Sequence, residues 1–336
     1  MTGRWTWRSE RGGRRRWLFA VALVASAMVA GCSPGGSGGL EGDLDVHDPA
    51  LAKDGDTWFV YATGTGTVKD GNISVRSSED GRTWRRAGFV WDEKPAWLSE
   101  AVPGVDNLWA PELIEHDGTW YLYYSASTFG SQTSAIALAT NTTLDPGDPA
   151  YEWVDQGPVI SSSGENDYNA IDPGIAVDDD GTPWMAFGSF WSGIRMVELE
   201  WPSGMRAGKE EPARVADRGA PPNAVEAPYL VERDGQWFLF VSWDSCCSGL
   251  DSTYRIAVGR SDSPQGPFVD RDGVPLLDGG GTVLLETEGE RIGPGGQSVY
   301  DGVVALHYYD EALNGQPQLG LIDIEWDDDG WPTLTW

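Results

Sequence analysis

Cysteine is scarce in this chain, with three residues in 336. One stands at Cys32, and the other two are the adjacent pair Cys246 and Cys247. Neighbouring residues cannot staple distant parts of a fold, so the framework of a small disulfide-rich protein is excluded. Outside a cell the pair could close on itself, and it could equally stay reduced. Positive charge is also in short supply, at 23 Lys and Arg against 52 Asp and Glu. Six of those Arg and one Glu fall within residues 1–31, so without that segment the formal charge of −29 becomes −34. A surface so acidic repels nucleic acid and anionic headgroups, and suits a neutral substrate. No long stretch repeats its apolar residues at a helical spacing. The main apolar run, from Trp17 to Ala30, is too short to cross a membrane comfortably.

That run nevertheless has a purpose. Arg4, Arg8, Arg11, Arg14, Arg15 and Arg16 precede it, and Val29-Ala30-Gly31-Cys32 ends it. A basic start, a short apolar middle and small residues at the end define a secretory signal over residues 1–31. The ending resembles a bacterial lipobox, which would make Cys32 a lipid-bearing first residue of an extracellular protein. A plain signal peptide with an incidental cysteine is the other reading. Arg14-Arg15-Arg16-Trp17-Leu18 loosely resembles a twin-arginine export motif, so the export route stays open. Residues 32–44, with Ser33-Pro34-Gly35-Gly36-Ser37-Gly38-Gly39, are expected to form a flexible tether.

Tryptophan is abundant, at 18 residues. Aromatic faces in such number suit a ligand with flat C–H surfaces and hydroxyl edges, as sugars have. From residue 45 to 336 one pattern recurs five times. It runs Asp48-Pro49-Ala50-Leu51, Asp54-Gly55, Trp58-Phe59-Val60-Tyr61, and its later copies carry Asp117-Gly118, Asp180-Gly181, Asp234-Gly235 and, more weakly, Asp301-Gly302. Each copy predicts a β-hairpin, since glycine accepts the positive φ of a tight turn and the following run favours a strand. The Asp-Gly glycines lie 63, 63, 54 and 67 residues apart, with further strand-like runs between them. Five units of about four strands predict an all-β, five-bladed β-propeller.

In a propeller the innermost strand of every blade starts at the same end of the central channel. Those starts carry acids: Asp48 in the first unit, Asp172 in the third, and Glu226, two residues before Pro228, in the fourth. Carboxylates crowded at one narrow mouth repel each other, which raises at least one pKa. One acid protonated beside one ionised is what glycosidic hydrolysis needs. A lone Asp before Pro would be a turn residue, but three on a repeat favour catalysis. Glu112 lies further along its strand and is expected to be structural.

Seven segments in order make this picture specific. They are Val46-His47-Asp48-Pro49, Asn107 to Glu112, Asn169 to Pro173, Gly188 to Ile194, Val225 to Tyr229, Phe240 to Cys247 and Ile292 to Val299. Together they resemble the motif set of glycoside hydrolase family 43, and are most similar to its endo-α-1,5-L-arabinanases. The resemblance implies an inverting enzyme acting on arabinan or arabino-oligosaccharides. It assigns Asp48 as general base, Glu226 as general acid and Asp172 as the third acid, which orients the second. It implies a cation, usually calcium, in the channel, for which His307 is the matching candidate, though a lone strand His is more often packed core. Where many relatives have a histidine, this chain has Gly296. Trp109, Phe190 and Trp191 are expected to stack on pentose rings, or else to fill the core between blades. Asn169 and Ser189 are expected at the substrate, and Cys246-Cys247 as a wall of the cleft. Other activities on the same scaffold are α-L-arabinofuranosidase, β-xylosidase or exo-acting galactan cleavage, and a non-catalytic sugar-binding propeller is a separate class. That class has no need of all three acids.

Overall fold

Hairpin tips set the layout. At Asp117-Gly118, Asp234-Gly235 and Asp301-Gly302 the dipeptide is the entire loop, with φ of 49° and 77°, 54° and 77°, and 49° and 78°. Two positive φ values in a two-residue loop match the right-handed twist of the flanking strands. The other two tips differ from the expected pattern. Asp54 still pairs with Thr57, so Gly55-Asp56 form the first loop, and residues 178–182 separate Val177 from Pro183 in the third.

The computed structural model describes residues 39–66 and 71–336. The expected signal segment and Cys32 lie outside the described residues. Blade I holds β1 (Glu41–Gly42), β2 (Ala50–Asp54), β3 (Thr57–Ala62), β4 (Ser74–Ser78) and β5 (Thr83–Phe89). Its four main strands form an antiparallel meander, and β1 joins the outer edge in parallel. β1 therefore takes into blade I part of the stretch expected as tether. Blade II comprises β6 (Leu108–His116), β7 (Thr119–Ala126), β8 (Ser134–Asn141) and β9 (Val154–Ser162). Blade III comprises β10 (Gly174–Val177), β11 (Pro183–Phe187), β12 (Ile194–Glu200), β13 (Met205–Arg206) and β14 (Ala213–Ala216), the last two sharing the edge of β12. Blade IV holds β15 (Val225–Arg233), β16 (Gln236–Trp243), β17 (Arg255–Ser261) and β18 (Thr282–Leu285). Blade V has three strands, β19 (Arg291–Tyr300), β20 (Val303–Asp310) and β21 (Gln316–Asp323), followed by a ribbon of β22 (Glu325–Trp326) and β23 (Pro332–Thr333).

The Trp-Tyr-Phe-rich runs are apolar at successive positions because each second strand is covered on both faces. Along β7, Trp120, Leu122 and Tyr124 join the core against blade I, while Tyr121 and Tyr123 join the core against blade III. Five such cores occupy the five junctions between blades. A leucine buried like Leu122 contributes about 1.5–3 kcal/mol. The inner strands pack in the order β2, β6, β10, β15, β19, and β19 packs on β2 to close the ring. Closure is reinforced where Leu319 N donates to Leu44 O at 2.9 Å and Leu51 N to Ser298 Oγ at 3.2 Å.

Candidate active site

At every blade start the chain takes one uncommon conformation. Asp48, Ala110, Asp172, Ala227 and Gly296 have φ of 48°, 42°, 58°, 48° and 59°. In residues with a Cβ this left-handed form costs about 1–2 kcal/mol, and such strain gathers at functional sites. The five line one channel mouth, a cavity of about 20 Å³. Glu226 precedes its left-handed residue by one position. It lies close enough to feel the charge of Asp48 and to act on Asp172, and β15 is irregular between Glu226 and Tyr229.

Asp48 is held as an anion. Its Oδ2 accepts from Thr63 Oγ1 at 2.6 Å and lies 2.8 Å from His47 Nδ1. Burial opposes ionisation, but His47, His307 and Thr63 outweigh it and hold the carboxyl well below the usual carboxylate range. With Oδ2 occupied twice, Oδ1 is the oxygen left to take a proton.

The other two acids are pushed the opposite way. Burial raises Asp172 well above the usual range, and the charges of Glu226 and Asp48 add to it. Its Oδ2 accepts from Ala227 N at 3.1 Å, and its own N–H donates to Ser125 Oγ at 2.9 Å. Burial also raises Glu226, against the hydrogen bonds from Ser189 and Tyr254 and with the charge of Asp48. Ser189 Oγ donates to Glu226 Oε2 at 2.6 Å, and Tyr254 Oη bonds to Oε1. The mouth thus sets an ionised carboxylate among carboxyls that burial pushes towards their protonated forms, the pairing that acid–base hydrolysis uses.

Residues 42–332 match the family described as glycosyl hydrolases family 43. The chain belongs to that family. It is 40% identical over 321 residues to an extracellular endo-α-(1→5)-L-arabinanase of Bacillus subtilis, covering 94% of this chain and 95% of that protein. It is 38% identical over 335 residues to an extracellular exo-α-(1→5)-L-arabinofuranosidase of Cellvibrio japonicus, covering 95% and 92%. Among solved structures, the family 43 endo-arabinanase of Bacillus licheniformis is similar at 41% identity and a TM-score of 0.83, over 88% of this chain and 99% of that one.

The expected residues around this family 43 site fall into three groups. Trp191 is presented outward, 37% exposed, on a loop where Gly188, Phe190, Trp191 and Gly193 all have positive φ. Phe190, next to it in that loop, and Trp109, near the start of β6, are half-buried. Ser189 and Asn169, expected at the substrate, are buried on protein partners: Ser189 on Glu226, Asn169 Oδ1 on Ser134 Oγ at 2.7 Å. Cys246 and Cys247 are joined as a vicinal disulfide.

His307 is fully buried on β20, its ring stacked on His47 with centroids 3.7 Å apart. Its Nδ1 faces Asp48 N at 3.2 Å and Asp48 Oδ1 at 3.5 Å, while Nε2 has no hydrogen-bond partner among the described residues. Because Nδ1 accepts from the Asp48 N–H, the neutral ring carries its hydrogen on the orphan Nε2, which fits a water of a cation's shell. Thr63, His47, Tyr254 and Tyr309 were not expected at the site. His47 had a signal, its place beside Asp48. Tyr309 had one too, two positions beyond His307 on the same face of β20, whereas Tyr254, ahead of β17, had none.

Proposed function

We propose that this chain is an inverting glycoside hydrolase that cuts α-1,5-linked L-arabinan by internal cleavage outside the cell. The observation that carries this reading is the split between Asp48, held ionised, and Glu226, held towards its protonated form, at one channel mouth. The naming of similar proteins as arabinan-cutting and extracellular supports the substrate and the location.

In this mechanism a water lies between Asp48 and the anomeric carbon. Asp48 Oδ1 takes its proton as the new C–O bond forms. Glu226 gives its proton to the departing glycosidic oxygen, and Asp172, which accepts from the Ala227 backbone N–H at 3.1 Å, would orient that acid as the third carboxyl of the set. Attack opposite the leaving group inverts the anomeric centre, and the water needs the two carboxyls about 6.5–9.5 Å apart. Trp191, Trp109 and Phe190 would stack on pentose rings, and the Cys246-Cys247 bridge would wall the cleft. A calcium ion at His307 belongs to the proposal; it would supply positive charge beside Asp48. So does a lipid anchor at Cys32, supported by the Val29-to-Cys32 ending.

The similarity to an exo-acting relative keeps exo cleavage as the second reading. Product analysis on linear arabinan, debranched arabinan and xylan separates them. A ladder of short arabino-oligosaccharides is expected; a single product of fixed length from arabinan indicates exo action, and release from xylan alone would refute the substrate.

A further inference from the structure

The loop that carries the disulfide is tied to the base by a continuous run of hydrogen bonds. Cys247, at φ 65°, points its backbone N–H at Tyr309 Oη, 2.8 Å away. Tyr309 Oη lies 2.9 Å from His47 Nε2, and His47 Nδ1 lies 2.8 Å from Asp48 Oδ2. The bridge also packs directly on His47, with Cys247 Sγ 3.9 Å from Nε2.

Proton counting fixes the two ends of this run. A backbone N–H can only donate, so the Tyr309 oxygen accepts from Cys247. The contact between Tyr309 Oη and His47 Nε2 holds in either sense, from the phenol to a neutral ring or from an imidazolium to the phenol oxygen. His47 Nδ1 carries a proton for Asp48 Oδ2 both in the imidazolium and in the neutral ring that accepts at Nε2. His47 and Thr63 then occupy Oδ2 together, and Oδ1 faces the water. Without the phenol, His47 keeps its stacking on His307 but loses the contact at Nε2 that helps to aim its Nδ1 at Asp48 Oδ2.

We propose that Tyr309 is a positioning residue for Asp48, and that the Cys246–Cys247 bridge holds Tyr309 in place, so that opening the bridge slows catalysis. This rests on the reading of Asp48 as the base. The opening step is ordinary exchange with a dithiol: the S–S bond breaks, Cys246 and Cys247 take two electrons and two protons as thiols, and the reductant closes to its own disulfide. Reduction frees the Cys247 backbone from the constraint of the eight-membered ring, and its N–H no longer has a fixed aim. The bridge would therefore act on the base from outside the reacting atoms, as a support that an extracellular oxidant keeps closed.

The test compares wild type and Tyr309→Phe, each oxidised and dithiothreitol-reduced, with kcat and KM on linear arabinan. Tyr309→Phe and reduction should each lower kcat about 10- to 100-fold, the scale of a misplaced catalytic group, with KM changed less than about twofold. Combined, they should cost no more than Tyr309→Phe alone, because both cut the same run. Unchanged kcat in the oxidised variant, or losses that multiply, would overturn the proposal. If Tyr309→Phe does not fold, reduction of the wild type carries the kinetic test. A second readout needs no turnover: ¹⁵N NMR of His47, assigned by His47→Gln, should show a protonated Nδ1 in the oxidised wild type and a loss of that order on reduction. An Nε2–H tautomer in the oxidised protein would overturn the proposal. A wild type inactive on arabinan but with Nδ1 protonated would instead fault the substrate assignment.

Discussion

Gly295 is the position where a single methyl group should reach the catalytic acid. A Cβ there would stand 2.1 Å from Cδ2 and 2.5 Å from Cε2 of Tyr254, where ordinary contact begins near 3.4 Å. Tyr254 is buried and its hydroxyl bonds to Glu226 Oε1, so its ring must retreat by about 1 Å, the displacement that costs a catalytic group about 10²-fold. Overpacking of this kind costs about 1–3 kcal/mol, which in a domain of this size lowers Tm by roughly 2–4 °C for each kcal/mol. Gly295→Ala should therefore fold, melt several degrees lower and lose most of its kcat. Tyr254→Phe removes the hydroxyl without the overlap and should lower kcat with a smaller change in Tm. The pH profile carries a second sign. The Tyr254 hydrogen bond holds the Glu226 pKa down, so its loss raises that pKa. Glu226 works protonated, and the alkaline limb of kcat/KM should move to higher pH in both variants. Circular dichroism melts and pH–rate profiles on arabinan provide the measurements. An alkaline limb unmoved, or moved to lower pH, in Tyr254→Phe would refute the link between Tyr254 and the acid.

Three further outcomes are expected. Burial raises the Glu112 pKa well above the usual range, so its contribution to stability is full below the ordinary carboxylate pKa and is lost as pH rises; Glu112→Gln should gain Tm relative to wild type as pH rises above about 4, and a constant difference would contradict this. Chelation should lower activity or Tm and calcium restore it, with His307→Ala insensitive to both; equal melting with and without chelator and calcium would count against a cation at His307. Cys32→Ala should release the protein from membranes or block its processing, whereas wild type free in the medium with an N-terminus elsewhere would exclude the anchor.

Much of this was written locally in the sequence. The Asp-Gly tips and the Trp-rich runs after them are short-range signals, and their fivefold recurrence gave the blades and the convergence of Asp48, Asp172 and Glu226. The fifth copy was the weakest in sequence, and blade V has three strands. What stayed hidden depends on contacts between distant segments. Tyr309 meets His47 across 262 residues and Asp48 meets His307 across 259, and no local spacing encodes such pairs. Ser189 was expected at the sugar from its motif, and in the fold its hydroxyl is taken by Glu226. Glu112 was expected to be structural; it is buried beneath the acids, with Oε1 3.0 Å from Tyr229 Oη. Tyr229 also lies 2.8 Å from Val299 O, so when its single proton goes to that carbonyl the acid must donate to the tyrosine.

The assignment of Asp48 as base and Glu226 as acid is tested most directly by the dependence of each variant on the leaving group. Cleavage rates of Glu226→Gln and Asp48→Asn should be measured on linear arabinan and on an aryl arabinoside with an acidic phenol, at enzyme concentrations that resolve losses of about 10²–10⁴-fold. Glu226→Gln should nearly abolish arabinan cleavage and largely spare the aryl substrate, because a phenolate departs without a proton. Asp48→Asn should abolish both, since water must be activated whatever leaves. Equal losses on the two substrates in both variants would contradict the assignment, and aryl activity retained by Asp48→Asn but lost by Glu226→Gln would reverse it.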